Sequence, residues 1–234
     1  MTVYASDPEA DFKADGSPVT LADQLAEAVI LSALARIAPD IPVVSEENAA
    51  SHSLHAPERF FLVDPLDGTR EFVKRDGKGA FTVNIALIDN GVPVAGVVHA
   101  PALDRLFAGA IGHGASESQG DGRLSIAVRP IPGEGPVAVA SSSHRDRETD
   151  DWLSAQRIRE VVSIGSSLKF CLIAAGEADV YPRFGPTMEW DTAAGDAVLR
   201  AAGGEVRSPG GQLMRYGKPA YRNGAFIARG RARG

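Results

Sequence analysis

Four acidic residues stand at the ends of apolar runs or at helix starts in this 234-residue chain: Glu46 in VVSEE, Asp64 and Asp67 in FFLVDPLDGT, and Asp191 in EWDTAAGD. Hard divalent cations take oxygen ligands, and Mg²⁺ binds a few carboxylates directly while keeping water. Gathered in one pocket, these side chains would form the protein half of a magnesium site that cleaves phosphate. Each also has an ordinary reading. DPLDGT is compatible with a plain Asp-Pro and Asp-Gly turn, a Glu pair after an apolar strand is usually a solvated loop, and Asp191 before an alanine-rich stretch is a common N-cap. The conjunction favours a site, because all three clusters lie where an apolar strand stops or a helix begins. Ligands of α/β sheets collect at the carboxyl ends of strands.

The hexapeptide DPLDGT offers more than two carboxylates. Pro65 fixes the backbone between them, which leaves the Leu66 carbonyl available as a further oxygen ligand. Gly68 allows close approach of the backbone, and the amides of Gly68 and Thr69 open a short helix, a ready place for a phosphate.

The elements that must carry these residues follow from periodicity and turn residues. The first twenty residues are polar, contain Pro8, Gly16 and Pro18, and read as loop. Thr20 is an N-cap for LADQLAEAVILSALARI, whose apolar residues recur at helical spacing. IPVVSEE and FFLVDP read as buried strands, and DGTREFVKR as a short helix. The stretch from His52 to Glu58 reads as exposed loop, and its HxxH spacing (His52, His55) lacks the neighbouring ligands a metal site needs. FTVNIALID and GVPVAGVVHAP are strands joined by an Asp89-Asn90-Gly91 turn. LFAGAIGHG and RLSIAVRP extend a β-rich N-terminal half to residue 130. PIPGEGP is the best linker. Beyond it strand and helix alternate: PVAVASSS, RETDDWLSAQRI, VVSIG, SSLKFCLIAAGEA, DVYPRF and DTAAGDAVLRAAGG. The expectation is an N-terminal α+β half over 1–130 and a C-terminal α/β half over 131–234, with the site between them.

Composition bounds the function. The net charge is −6, from 24 basic and 30 acidic residues, which argues against a nucleic-acid partner but not against a small phosphorylated ligand. The one cysteine, Cys171, lies in an apolar stretch and reads as a buried core thiol. No apolar run is long enough to span a bilayer and no signal-peptide pattern opens the chain, so the expectation is a soluble, cytoplasmic protein.

DGSPVT-LAD, VVSEE, LVDPLDGT, FTVNIALI, GSSLKFCLIAAGEADVYPRFGPT and WDTAAGDAVL together resemble the inositol monophosphatase superfamily, and within it the 3′(2′),5′-bisphosphate nucleotidase branch. The resemblance runs from about Lys13 to the last strand. It implies a layered αβαβα fold and a lithium-sensitive, Mg²⁺-dependent phosphatase holding two or three ions. By motif, Glu46, Asp64, the Leu66 carbonyl and Asp67 would hold the metals, with Asp191 joining the second. Thr69, paired with Asp23, would help to activate a water; an isolated threonine is a poor base. The implied substrate is 3′-phosphoadenosine 5′-phosphate, cleaved to AMP and phosphate; inositol 1-phosphate or fructose 1,6-bisphosphate is the alternative, and a non-catalytic sensor has less in its favour. The oligomer is monomer or homodimer.

A bisphosphate brings a second dianion, which calls for cations away from the metals. His144, Ser166, Lys169 and Arg183 suit that task beside Gly68, Thr69 and Asp191; Ser166 and Lys169, three apart at a helix start, are expected on one face. Solvated surface charge is the ordinary alternative for Lys169 and Arg183. One departure from the family pattern concerns the amphipathic helix that precedes KADGSPVT in its members. Here only twelve residues precede Lys13, so apolar surface is expected to be left open.

Overall fold

The computed structural model describes residues 1–5, 10–12, 18–53, 55–74, 78–141 and 145–230. His144 lies outside them. The opening segment is more ordered than its loop-like composition predicts: a helical turn, α1 (Thr2–Ala5), is followed by an antiparallel ribbon of β1 (Ala10–Phe12) with β2 (Pro18–Thr20). Tyr4 of α1 packs on Phe72 and Phe81, with ring centroids 5.2 and 5.0 Å away. The ribbon delivers Thr20 to the start of α2 (Leu21–Ile37) as the expected N-cap.

A seven-stranded sheet follows, in the order β3 (Val43–Ser45), β4 (Arg59–Asp67), β5 (Thr82–Asp89), β6 (Val92–Ala100), β7 (Arg105–Ala110), β8 (Gly114–Gln119) and β9 (Gly122–Ile126). β3 runs parallel to β4 and the rest form an antiparallel meander. The predicted turn between β5 and β6 places Asn90 at φ 47° and Gly91 at φ 73°, the left-handed pair a two-residue hairpin requires. Period-two alternation sorts the faces. Phe61, Val63, Val83 and Ile85 meet Ile30 and Leu34 of α2, while Phe60, Leu62, Ala86 and Ile88 enter the central core.

The short helix α3 (Thr69–Lys74) leaves the end of β4. The second sheet has the order β11-β10-β12-β16-β14, built from β10 (Val137–Ser141), β11 (Glu160–Ile164), β12 (Val180–Arg183), β14 (Glu205–Arg207) and β16 (Phe226–Arg229). The Pro/Gly stretch at 130–136 joins the last strand of the first sheet to β10. β11, β10 and β12 are parallel, and β16 and β14 close the sheet antiparallel. The helix α4 (Arg147–Ala155) sets Leu153 against Ala138, Ala140, Val180 and Ile227 on its outer face. Between the sheets lie α5 (Leu168–Ala174) and α6 (Ala193–Ala201). The layers therefore run α2, seven-stranded sheet, α5 and α6, five-stranded sheet, α4: the αβαβα order implied by the resemblance. A last ribbon pairs β13 (Thr187–Met188) with β15 (Arg222–Asn223).

The seat of α6 is built from absent side chains. Gly96 and Gly109 face each other across β6 and β7. A Cβ on Gly96 would lie 2.5 Å from the Ala194 carbonyl oxygen, and one on Gly109 would lie 2.8 Å from the Ala201 methyl. On the opposite side of α6, a Cβ on Gly195 would meet the Phe170 ring at 2.6 Å. The helix is thus wedged between sheet and α5 at backbone contact distance.

Cys171 is fully buried, as expected, and burial pushes its thiol pKa far up. Among the described residues no helix is long and apolar enough to cross a membrane. A groove of about 730 Å³ beside α2, on the sheet face away from α6, is lined by Ile37, Leu87, Val97 and Ala108, and Val29 and Ile37 stand exposed.

Candidate metal and phosphate site

A regular strand cannot aim Asp64 and Asp67 at the same place, because residues three apart point to opposite faces. The β4–β5 ladder solves this with a bulge: Asp64 pairs with Asn84 and Asp67 with Thr82, so three steps on β4 oppose two on β5. The extra residue turns both carboxylates toward one cleft. The turn that follows needs glycine. Gly68 has φ 92°, and a Cβ there would lie 3.1 Å from the Ala80 carbonyl oxygen.

Glu46 arrives from the end of β3, and Asp191 from the turn before α6. One carboxylate oxygen each from Glu46, Asp64 and Asp191 lies within 4.8 Å of the others. Asp191 is not the N-cap of α6; that position belongs to Thr192. Its Oδ2 accepts from the Met188 amide at 2.8 Å. Asp64 accepts the Leu66 amide at 3.0 Å. Asp67 accepts both the amide and the hydroxyl of Ser167, at 2.6 and 2.9 Å, and Ser167 Oγ also meets the Asp191 carbonyl oxygen. Ser167 thus ties two of the acidic clusters together.

All four carboxylates line a cleft of about 380 Å³ between the two sheets. Burial, reinforced by the charges of Glu46, Asp67 and Asp191, drives the Asp64 pKa well above the usual carboxylate range. Burial and the charges of Asp67 and Glu46 do the same to Asp191. Asp67 is raised by burial too, but Lys169 and the Ser167 bonds restrain it. An all-oxygen donor set, crowded and mutually repelling, is what a hard dication relieves. These residues fit such an ion.

The cationic wall is partly as expected. Lys169 and Arg183 line the cleft and are nearly buried, at 4% and 8% exposure, so neither is a solvated surface charge. Lys169 donates to the Ser166 carbonyl at 2.5 Å and sits 5.0 Å from the Tyr181 ring centroid; burial lowers its pKa to about 8 against the pull of Asp67. Arg183 donates to the carbonyls of Gly185 and Pro186. Ser166 is not in the helix with Lys169: it lies before the helix at φ 53°, and Ser167 is the N-cap.

The expected Thr69–Asp23 pair is not formed. The Thr69 hydroxyl donates to the Leu66 carbonyl at 3.2 Å, and Asp23 Oδ2 accepts from the amide and hydroxyl of Thr20, both at 2.7 Å. Asp23 stands at the third position of α2, and the capping box claims it. The His52–Glu58 loop is also different. Residues Ala49–Ser53 form a 3₁₀ turn, and His52 is half-buried with its ring on Trp190. Sequence reasoning missed Ser167, His52, Glu71, Arg70 and Arg222, the last three of which line the cleft. It also missed Glu189, buried beside Asp191, which accepts the amides of Gly217 and Lys218 and pairs with the Lys218 ammonium at 2.6 Å. Its signal was a glutamate beside a tryptophan in EWD, too common to read.

The sequence model of the inositol monophosphatase family matches residues 4–233. A protein of Shigella flexneri named 3′(2′),5′-bisphosphate nucleotidase CysQ is 48% identical over 219 residues, 92% of this chain and 87% of that protein. The crystal structure of CysQ from Bacteroides thetaiotaomicron superposes with a TM-score of 0.84 at 40% identity, covering 98% of this chain and 90% of that one. A Thermotoga maritima IMPase superposes with a TM-score of 0.79 at 26% identity, covering 98% and 85%.

Proposed function

This chain belongs to the inositol monophosphatase family, and from that premise we propose that it is a 3′(2′),5′-bisphosphate nucleotidase that hydrolyses the 3′-phosphate of 3′-phosphoadenosine 5′-phosphate to AMP and phosphate. The observation that carries this reading is the identity of nearly half the residues with the CysQ relatives along almost the whole chain. The cleft agrees with it, because four carboxylates and two nearly buried cations, Lys169 and Arg183, line the same space. We place the activity in the cytoplasm and in sulfur metabolism on the family resemblance alone.

In this reading Glu46, Asp64, the Leu66 carbonyl and Asp67 hold magnesium, with Asp191 joining at a second ion. Bound there, magnesium supplies positive charge at the phosphoryl and leaving oxygens and acidifies a water. The remaining work belongs to the chain. The Thr69 hydroxyl, beside the Leu66 carbonyl, orients the attacking water. It takes up the pairing with Asp23 only when it leaves that carbonyl, and burial raises the Asp23 pKa, which makes it a better proton acceptor than an exposed aspartate. Lys169 and Arg183, with Ser166, Gly68 and His144, hold the nucleotide and the phosphate that is not cleaved.

The test is phosphate release from 3′-phosphoadenosine 5′-phosphate, inositol 1-phosphate and fructose 1,6-bisphosphate at equal Mg²⁺. The adenosine bisphosphate is expected to be preferred, with inhibition by millimolar lithium. A preference for inositol phosphate would overturn the substrate, and no release from any of the three would overturn the enzyme. Lys169→Met, which keeps the buried volume, is expected to lower kcat/KM for the bisphosphate by about 10- to 100-fold, the worth of a hydrogen bond to a charged group. Hydrolysis of a nucleoside monophosphate should fall much less, and equal losses on the two substrates would remove Lys169 from recognition.

A further inference from the structure

We infer that His52 is a positioning residue that sets the distance between Glu46 and Asp191. Glu46 lies at the end of the edge strand of the seven-stranded sheet. Asp191 lies far along the chain, in the turn before α6, yet their carboxylate oxygens approach within 4.8 Å. Like charges this close separate unless something holds the segments that carry them.

His52 makes contact with both segments. Its Nε2 is 2.8 Å from the carbonyl oxygen of Ser45, the residue immediately before Glu46. A carbonyl oxygen only accepts, so Nε2 carries the hydrogen and donates. The face of the same imidazole stacks on the indole of Trp190, immediately before Asp191, with centroids 4.7 Å apart and planes 22° from parallel. Trp190 is itself buried, at 5% exposure, so the stack rests on a fixed surface. The 3₁₀ turn that carries His52 is anchored in turn, since the Ser51 hydroxyl accepts from the Ser45 amide at 3.1 Å and donates to the Asn48 carbonyl at 2.6 Å. One rigid ring therefore spans the residues next to two carboxylates that come from segments remote in the chain. Outer contacts of this kind fix ligand geometry, and losing one typically weakens metal binding 10- to 100-fold.

The inference rests on the carboxylates being metal ligands, and the test separates that premise from the role of His52. Mn²⁺ binding to the substrate-free protein would be measured by electron paramagnetic resonance for the parent, His52→Ala, His52→Gln and His52→Phe. The parent should bind Mn²⁺; if it does not, the metal reading fails before His52 is judged. His52→Ala is expected to weaken binding about tenfold. Glutamine keeps a donor without the aromatic face, and phenylalanine keeps the face without the donor, so each should recover part of the loss. A folded His52→Ala protein that binds Mn²⁺ within twofold of the parent overturns the inference, even if its melting temperature falls. Should His52→Ala not fold, His52→Phe decides: binding a few-fold weaker than the parent supports the tether, and unchanged binding overturns it.

Discussion

Replacing Asp64 by asparagine is expected to lower phosphate release by about 10³-fold, the scale set by removing one electrostatic stabiliser from a reacting centre, and to make the metal-free protein more stable. The two effects have one cause. Asp64 is almost wholly buried and faces the charges of Glu46, Asp67 and Asp191. Asparagine keeps an oxygen for the Leu66 amide and removes the charge, so a gain of roughly 0.5–2 kcal/mol without metal is expected, the usual scale where function had cost stability. The pH dependence follows from the same shift. A carboxyl raised by folding binds protons that the unfolded chain has released, so stability is greatest at low pH and falls as pH rises from about 4 through the raised range. That fall should be clear in metal-free parent protein and flatter in Asp64→Asn, since the clustered carboxylates titrate together. Thermal unfolding across pH in EDTA, with and without added Mg²⁺, measures both. A variant that keeps activity within tenfold of the parent, or that is destabilised without metal, would contradict the account.

Gly96→Ala carries the second large effect, from a residue outside the cleft. The added methyl would sit 2.5 Å from the Ala194 carbonyl and 2.8 Å from the Ala197 methyl. A backbone atom cannot step aside as a side chain does, so α6 must lift from the sheet. Overpacking of this kind costs about 3 kcal/mol at the upper end of its usual range, or roughly 10 °C in melting temperature for a chain of this size. Because α6 follows directly from the Asp191 turn, the Mg²⁺ concentration needed for half-maximal stabilisation should rise as well. Gly109→Ala, across the ladder, should act in the same direction. Melting curves at graded Mg²⁺ decide it; a shift below 2 °C would show that the helix is not held by this contact.

The sequence made the chemistry more legible than the supports. Carboxylates at the ends of apolar runs, and Lys169 and Arg183 beyond them, are visible because residue type and spacing carry the signal. The hairpin at Asn90-Gly91 follows for similar reasons, whereas the layer order follows only from the family resemblance of the motifs. What stayed hidden depends on partners remote in the chain. Ser167 bonds Asp67 across 100 residues, and nothing near GSSLKF marks which serine does so. His52 looked like a solvent-facing histidine until Trp190 was found under its ring. Asp23 fails differently: Thr20-x-x-Asp23 is a legible capping box, and the local bond to Thr20 is the one that forms. The early ribbon was missed because three-residue strands give too short a pattern to read.

The bulge in β4 has a consequence for how such a protein could change. Loss of one residue from Pro65–Leu66 would let β4 and β5 pair in register without interruption, which favours the sheet. It would keep Asp67 opposite Thr82 and, two regular steps from Asp64, on the same face. But it would draw the one residue left between them into the ladder, where the Leu66 carbonyl now stands outside it and accepts the Thr69 hydroxyl. The extra residue therefore costs the sheet one regular pair and supplies a backbone carbonyl beside the carboxylates, so length here answers to the cleft while folding alone would accept the shorter sequence.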